Sequence, residues 1–228
     1  CDILGLNVTV PHKQAVMAHL DEIAEEAAVI GAVNTISCSA GRLTGHNTDA
    51  FGILENLRAQ GRLEILPSSA VLLGAGGAGR AILYGLLQRP EVVEILLLNR
   101  TVEKAESLAR DLDPTAARVR VGSLAEDHAE QIRASRLLIN STSVGMSPQA
   151  DASPLADSRG LHREMLVLDI VYKPQHTRLM KLAEETGART LNGLGMLAHQ
   201  GAQSFEIWTG RTPPVEVMME AALESIQG

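Results

Sequence analysis

The chain has 228 residues, room for one large domain or two small ones, and its 45% hydrophobic and 21% charged residues give a soluble globular balance. A formal net charge of −7 without a basic run argues against a nucleic-acid or anionic-membrane surface, and 2% aromatics are too few for a base-stacking platform. No apolar run approaches the roughly 18 residues of a membrane span, and no secretory leader pattern opens the chain. Cys1 and Cys38 form neither a disulfide framework nor a metal pattern, and the seven histidines show no metal-ligand spacing. The expected compartment is the cytoplasm.

Residues 3–10 read as a strand; Pro11 ends its pairing and suits the first turn of a helix reaching Leu20, which places His12 and Lys13 where strand meets helix. Residues 21–30 read as a helix, acidic at its start as the helix dipole favours, with Gly31 placed to stop it. Residues 32–36 and 42–46 flank a Ser/Gly turn and predict a hairpin. Asn47, Thr48 and Asp49 then offer N-caps for a helix carrying Phe51, Ile53, Leu54 and Leu57, and residues 61–69, with Pro67, read as a boundary.

From Ala70 the pattern alternates. Strands are predicted at 70–73, 92–98, 118–121, 137–139, 165–169 and 188–191, and helices at 81–87, 102–112, 124–133 and 175–186. That order implies right-handed crossovers and a Rossmann-like, doubly wound parallel sheet beside a smaller α/β module. Residues 193–210 and 213–226 read as two closing helices. The expected division is a substrate-binding module at 1–60 completed by 211–228, and a dinucleotide-binding domain at 61–210, with the active site in the cleft between them.

The centre of the pattern is a strand running into Gly74-Ala75-Gly76-Gly77-Ala78-Gly79 and then a helix. Gly74, Gly76 and Gly79 fit G-x-G-x-x-G: the first permits the tight turn, the second admits a diphosphate to backbone N–H groups, and the third lets helix approach strand. The next strand ends in Asn99-Arg100-Thr101, with Lys104 a turn beyond, and lacks the carboxylate that would hydrogen-bond an unmodified ribose. A guanidinium and an ammonium suit a 2′-phosphate, so the pair points to NADP rather than NAD. The alternative is a solvated Arg/Lys pair at a helix start.

Residues 140–146 follow a strand end, where ligands gather in such sheets, so Thr142 and its neighbours are candidates to line the cofactor cleft, unless this is an ordinary turn. Lys13 and Asp49 are candidates for chemistry: a lysine beside a carboxylate can exchange a substrate hydroxyl proton while hydride leaves the same carbon. By pattern alone such a lysine is more often a surface residue and such an aspartate a helix cap. Gln200 and Gln203 share a helix face, either binding hydroxyls or facing solvent. Tyr172 reads as a pocket lid or as packing.

Together these stretches resemble the shikimate dehydrogenase family across nearly the whole chain. The resemblance rests on Asn7-Val8-Thr9-Val10-Pro11-His12-Lys13, Gly31-Ala32-Val33-Asn34-Thr35, Asn47-Thr48-Asp49, the glycine loop with Asn99-Arg100-Thr101, Asn140-Ser141-Thr142-Ser143, Asp169-Ile170-Val171-Tyr172-Lys173-Pro174, and Gly193-Leu194-Gly195-Met196-Leu197 with Gln200-Gly201-Ala202, all in family order. It implies reversible NADP-linked reduction of 3-dehydroshikimate to shikimate in aromatic amino-acid biosynthesis. Lys13 would be the acid/base group and Asp49 its partner; Thr9, Asn34, Tyr172 and Gln200 would hold substrate. Asn99, Arg100, Thr101 and Lys104 would grip the 2′-phosphate, and Gly193 and Met196 would border the nicotinamide. The family's opening segment, with a Ser-x-Ser pair for the substrate carboxylate, has no counterpart ahead of Asn7, and the chain starts at Cys1 as a trimmed product would. The expectation is therefore a substrate module short of strands; the rival readings are a catalytically impaired cofactor-binding fragment and a quinate/shikimate dehydrogenase. Oligomeric state has no signature in the sequence.

Overall fold

A computed structural model describes residues 3–227; Cys1 lies outside them. The small sheet is built from β1 (Gly5–Asn7), β2 (Glu22–Ile23), β3 (Thr35–Ser39) and β4 (Arg42–His46), in the order β1-β3-β4-β2. β3 and β4 form the antiparallel hairpin expected from the Ser/Gly turn, and β1 adds antiparallel to β3. The predicted strand at 3–10 is reduced to β1, because a turn in which His12 N donates to Thr9 O takes over before Pro11. Only a short 3-10 helix, Ala15–His19, succeeds it.

Residues 21–30 are not one helix. Asp21 exchanges hydrogen bonds with Leu43, Ala24 N donates to Gly45 O at 2.9 Å, and Glu22–Ile23 pairs parallel with β4. Sheet pairing outweighs the weak helical preference of so short a segment. Helix α1 (Glu25–Ile30) is what remains, and Gly31 ends it in the left-handed region at φ 71°, as its position predicted.

Helix α2 (Asp49–Ala59) leads into a second sheet of six parallel strands: β5 (Ser69–Leu73), β6 (Glu94–Asn99), β7 (Val119–Ser123), β8 (Leu137–Asn140), β9 (Leu166–Asp169) and β10 (Arg189–Leu191). Their order, β10-β9-β8-β5-β6-β7, is doubly wound, with the switch point between β5 and β8. Helices α3 (Gly77–Leu87), α4 (Val102–Leu112), α5 (Ala129–Arg133) and α6 (Arg178–Glu184) make the crossovers. Leucines and valines of β5, β8 and β9 are buried on both faces, which explains their continuous apolar runs.

Two helices of the larger sheet's crossovers are also shorter than predicted. α5 starts late because Ser123–Asp127 forms turns, with the His128 ring folded back to Ser123 O at 2.9 Å. α6 starts at a side-chain cap, Thr177 Oγ1 accepting from Met180 N at 3.3 Å. α7 (Leu194–Thr209) then packs along α2, where Gly52 lets the two approach: a Cβ there would lie 2.8 Å from Gln200 Cβ. Its far end docks on the small sheet, with Trp208 Nε1 donating to Ile36 O at 2.9 Å. α8 (Val215–Gln227) packs on α7. Among the described residues no helix is long and apolar enough to cross a membrane.

Candidate active site

The turn between β5 and α3 has the geometry that its three glycines require. Gly74 has φ +105°, and a Cβ there would sit 2.7 Å from Ser141 Oγ. A Cβ at Gly79 would lie 2.4 Å from Gly74 O, whereas Gly76 has nothing within 4 Å and leaves an open approach to the backbone. No side chain caps α3, so its first N–H groups remain available, a cradle of the kind that accepts a diphosphate.

Beside the loop lies a cavity of about 420 Å³ lined by Ala75, Gly76, Arg80, Arg100, Thr101 and Lys104, among others. Arg100 and Lys104 form no ion pair with a carboxylate among the described residues, which leaves two cations facing the cavity for an anion. Asn99 is different: its Oδ1 accepts from Ala75 N at 3.2 Å and its Nδ2 donates to Thr101 O at 2.7 Å. Both ends of that amide are engaged, so Asn99 ties the glycine loop to the next turn.

The opposite wall is a network of side chains. Lys13 Nζ donates to Asp49 Oδ2 at 2.6 Å, with the two side chains 12% and 5% exposed. Asn34 Nδ2 donates to Asp49 Oδ1 and Thr48 Oγ1, both at 2.9 Å, and to Gln200 Oε1 at 3.2 Å. Asn34 Oδ1 accepts from Thr48 N at 2.8 Å. An amide has two N–H bonds, so these three acceptors compete, and a substrate hydroxyl could displace Gln200 without stranding Asn34. Behind it, the hydroxyls of Thr35, Thr48 and Ser204 lie 2.7–3.3 Å apart, and Asn7 Nδ2 donates to Thr35 and Ser204 at 3.1 Å each.

The two walls meet at Lys13, whose Cδ lies 3.4 Å from where a Cβ on Gly77 would be. A third group sits at the ends of β8 and β9. Asp169, fully buried, accepts from Asn140 Nδ2 at 2.9 Å, Val171 N at 3.1 Å and Thr177 Oγ1 at 2.7 Å. Burial pushes its carboxyl pKa up despite these donors. Asn140 in turn accepts from Thr142 Oγ1 at 2.7 Å, and Thr142 Cγ2 lies 2.9 Å from a Cβ built on Gly74, beside the glycine loop.

Lys13, Asn34, Asp49 and Gln200 are thus brought into one network, and Gly74 to Gly79, Asn99, Arg100, Thr101, Lys104 and Thr142 gather around the loop. Thr9 and Tyr172 are exposed and their side chains make no hydrogen bond among the described residues. Met196 is buried in the core, 7% exposed, and Gly193 is pressed against Ile170, whose carbonyl oxygen would lie 1.8 Å from a Cβ. Sequence reasoning missed Asn7, Thr35 and Ser204, and read Thr48 only as a cap. Its hydroxyl does not cap α2 but turns into the network. The buried Asp169 and Thr177 were also missed, although an aspartate closing an apolar strand was a visible signal.

Fold and cleft define a dinucleotide-binding α/β protein in which a lysine–carboxylate pair, from the turn after β1 and the start of α2, faces the phosphate loop. Family profiles match the chain as "Shikimate dehydrogenase substrate binding domain" over residues 1–36, "Shikimate / quinate 5-dehydrogenase" over 57–174 and "Shikimate 5'-dehydrogenase C-terminal domain" over 193–223. The NADP(+) shikimate dehydrogenase of Methanopyrus kandleri is 44% identical over 99% of this chain and 78% of its own. A crystal structure of a shikimate dehydrogenase in complex with NADP+ is similar with a TM-score of 0.90 and 40% identity over 98% of this chain and 77% of its own. The Thermus thermophilus enzyme in complex with NADP(H) and shikimate matches with a TM-score of 0.85 and 40% identity, over 98% and 80%. The chain belongs to the shikimate dehydrogenase family.

Proposed function

We propose that this chain interconverts 3-dehydroshikimate and shikimate with NADP as redox partner, an oxidoreductase acting on a CH–OH group. The observation that carries the reading is the Lys13–Asp49 pair at 2.6 Å, set against Gly77 of the phosphate loop. The open backbone at Gly76, and Arg100 and Lys104, which have no ion-pair partner among the described residues, fit the diphosphate and the 2′-phosphate of NADP.

Bound NADP supplies the hydride acceptor for oxidation of the alcohol carbon. Lys13, as the amine, takes the hydroxyl proton during oxidation and, as the ammonium, returns it during reduction. Asp49 holds one of the ammonium's three N–H bonds and so fixes where the others aim. Asn34 and Gln200 bind ring hydroxyls by exchanging their mutual hydrogen bond for substrate. Thr9 and Tyr172 complete the contacts to substrate, Thr142 lines the nicotinamide end with Gly193 and Met196, and Asn99 and Thr101 shape the adenosine end.

The proposed functional units are residues 1–60 with 211–228 for substrate and 61–210 for cofactor; α7, inside the second range, also lends Gln200 and Ser204 to the substrate network. The cytoplasm is the proposed compartment, in keeping with a small-molecule reaction that uses a soluble cofactor. The test is NADPH formation from shikimate, repeated with quinate and with NAD. Turnover greatest with shikimate and NADP supports the reading; thermal protection by NADP without turnover on either substrate replaces it with a cofactor-binding module.

A further inference from the structure

Arg80, the residue after the last loop glycine, does something the phosphate cradle does not require. Its Nε donates to Ile30 O at 2.5 Å, and its Nη2 donates to Asp111 Oδ2 of α4 at 2.9 Å. Ile30 is the last residue of α1, where carbonyls lack helical partners and the dipole favours a cation. The guanidinium also lies over Gly31: a Cβ there would be 2.8 Å from Nη2, so the left-handed glycine serves both the helix stop and this contact.

The contact is part of a seam. Ala81 and Tyr84 of α3 pack on Ile30, Ala32 and Ala50, small buried residues that bring the cofactor helix against the substrate side. The segment just beyond Gly31 organises the proposed site. Ala32 O accepts from Asn47 Nδ2 at 2.9 Å, Val33 N donates to Lys13 O at 2.8 Å, and Asn34 carries the amide at the centre of the network. We infer that Arg80 is a positioning residue: it clamps the end of α1 so that segment 31–34 holds Lys13 and Asn34 in register with the glycine loop.

The fork matters as well as the charge. Two N–H bonds of one planar group reach a carbonyl on α1 and a carboxylate on α4, which a lysine ammonium on its flexible stem is poorly shaped to do. The Arg80 side chain is only 13% exposed, whereas that of Asp111 is 47% exposed, so the carboxylate can be altered without disturbing the core.

The inference rests on the reading of Lys13 and Asn34 as site residues, and the test separates the two. Amide hydrogen exchange of Gly31 to Asn34, NADP affinity by calorimetry, and kcat/KM for shikimate are measured in the wild type, Arg80→Met, Arg80→Lys and Asp111→Asn. Arg80→Met is expected to speed exchange at Gly31 to Asn34 and to lower kcat/KM for shikimate about ten- to a hundredfold, the scale of a misplaced reacting group, with a smaller loss of NADP affinity because Arg80 also lines the cofactor cavity. Arg80→Lys should not rescue either effect, and Asp111→Asn should shift both in the same direction by about twofold to threefold. Wild-type protein without turnover sinks the functional reading, while the exchange result still decides the clamp. Unchanged exchange in Arg80→Met overturns the clamp, as does a loss of NADP affinity larger than the loss in kcat/KM, which would make Arg80 a cofactor ligand. Should Arg80→Met not fold, unchanged exchange and kcat/KM in Asp111→Asn overturn it.

Discussion

The two walls of the cleft are made of different materials. The cofactor wall is mostly backbone: glycines that remove side chains, an uncapped helix start, and two cations at its rim. The substrate wall is mostly side chain, a set of amides, hydroxyls and one ion pair drawn from β1 and the turn after it, from β3 and α2 with the residues just ahead of them, and from α7. A backbone cradle depends on a few neighbouring residues and is written locally. A side-chain network depends on distant elements meeting, so it fails when any one of them shifts.

The largest expected effect breaks the second wall alone. Lys13→Ala should lower kcat by about 10²–10⁴, the range of general acid–base catalysis, with NADP affinity little changed, as read by NADPH absorbance and by thermal shift with NADP. A variant with normal turnover would overturn the acid/base assignment. Arg100→Ala should break the first wall at its rim: loss of about 1.5–3 kcal/mol of charged hydrogen bonding raises the Kd for NADP roughly ten- to a hundredfold. Affinity for NAD, which lacks the 2′-phosphate, should barely move, and equal losses for both cofactors would show that Arg100 acts through the fold.

Gly79→Ala sharpens the contrast by placing a Cβ 2.4 Å from a backbone oxygen, which cannot rotate away. Overpacking of this kind should cost about 1–3 kcal/mol and lower Tm by roughly 2–12 °C. Thermal protection by NADP should fall with it, and full protection would contradict the tight helix–strand contact.

The smallest effect concerns His199 on α7, 9% exposed, with no hydrogen-bond partner for its Nε2 among the described residues. Burial holds its pKa below the ordinary 6.5, outweighing Glu55 of α2 and Glu216 of α8, which raise it; Arg58 of α2 lowers it further. The unfolded chain therefore binds this proton more readily than the folded one. The contribution is fully present above pH 6.5 and is lost as pH falls toward the depressed folded value. His199→Leu should flatten the acid limb of a Tm-versus-pH profile, and an unchanged limb would assign it to carboxylates such as Asp113, where burial raises the pKa but backbone donors together with the Thr115 hydroxyl hold it below the ordinary value.

The legibility of the molecule follows the same division. The alternation from Ala70 onward predicted a parallel doubly wound sheet because βα crossovers leave strands buried on both faces and therefore continuously apolar. Gly74 and Gly79 announced their turn because a side chain at either would clash, Gly76 because a bare backbone leaves room for a ligand, and Arg100 with Lys104 pointed to a phosphate because no carboxylate stood in their place. By contrast, Glu22–Ile23 was hidden in an apparent helix, since its partner β4 lies twenty residues on and only that pairing outbids local propensity. Thr48 looked like a cap because a cap position is local, yet its hydroxyl answers to Asn34 and Ser204.

By itself, then, the sequence determined what short-range physics can write: the glycine loop, the helix stop at Gly31, the strand–helix order and the cations at the rim. Tertiary structure decided which of the remaining polar residues meet. Asn7 and Ser204 are 197 positions apart and share a hydrogen bond of 3.1 Å, and Arg80 reaches back fifty residues to Ile30. No local pattern carries such pairs, because they exist only once α7 has packed on α2, and α3 on the end of α1.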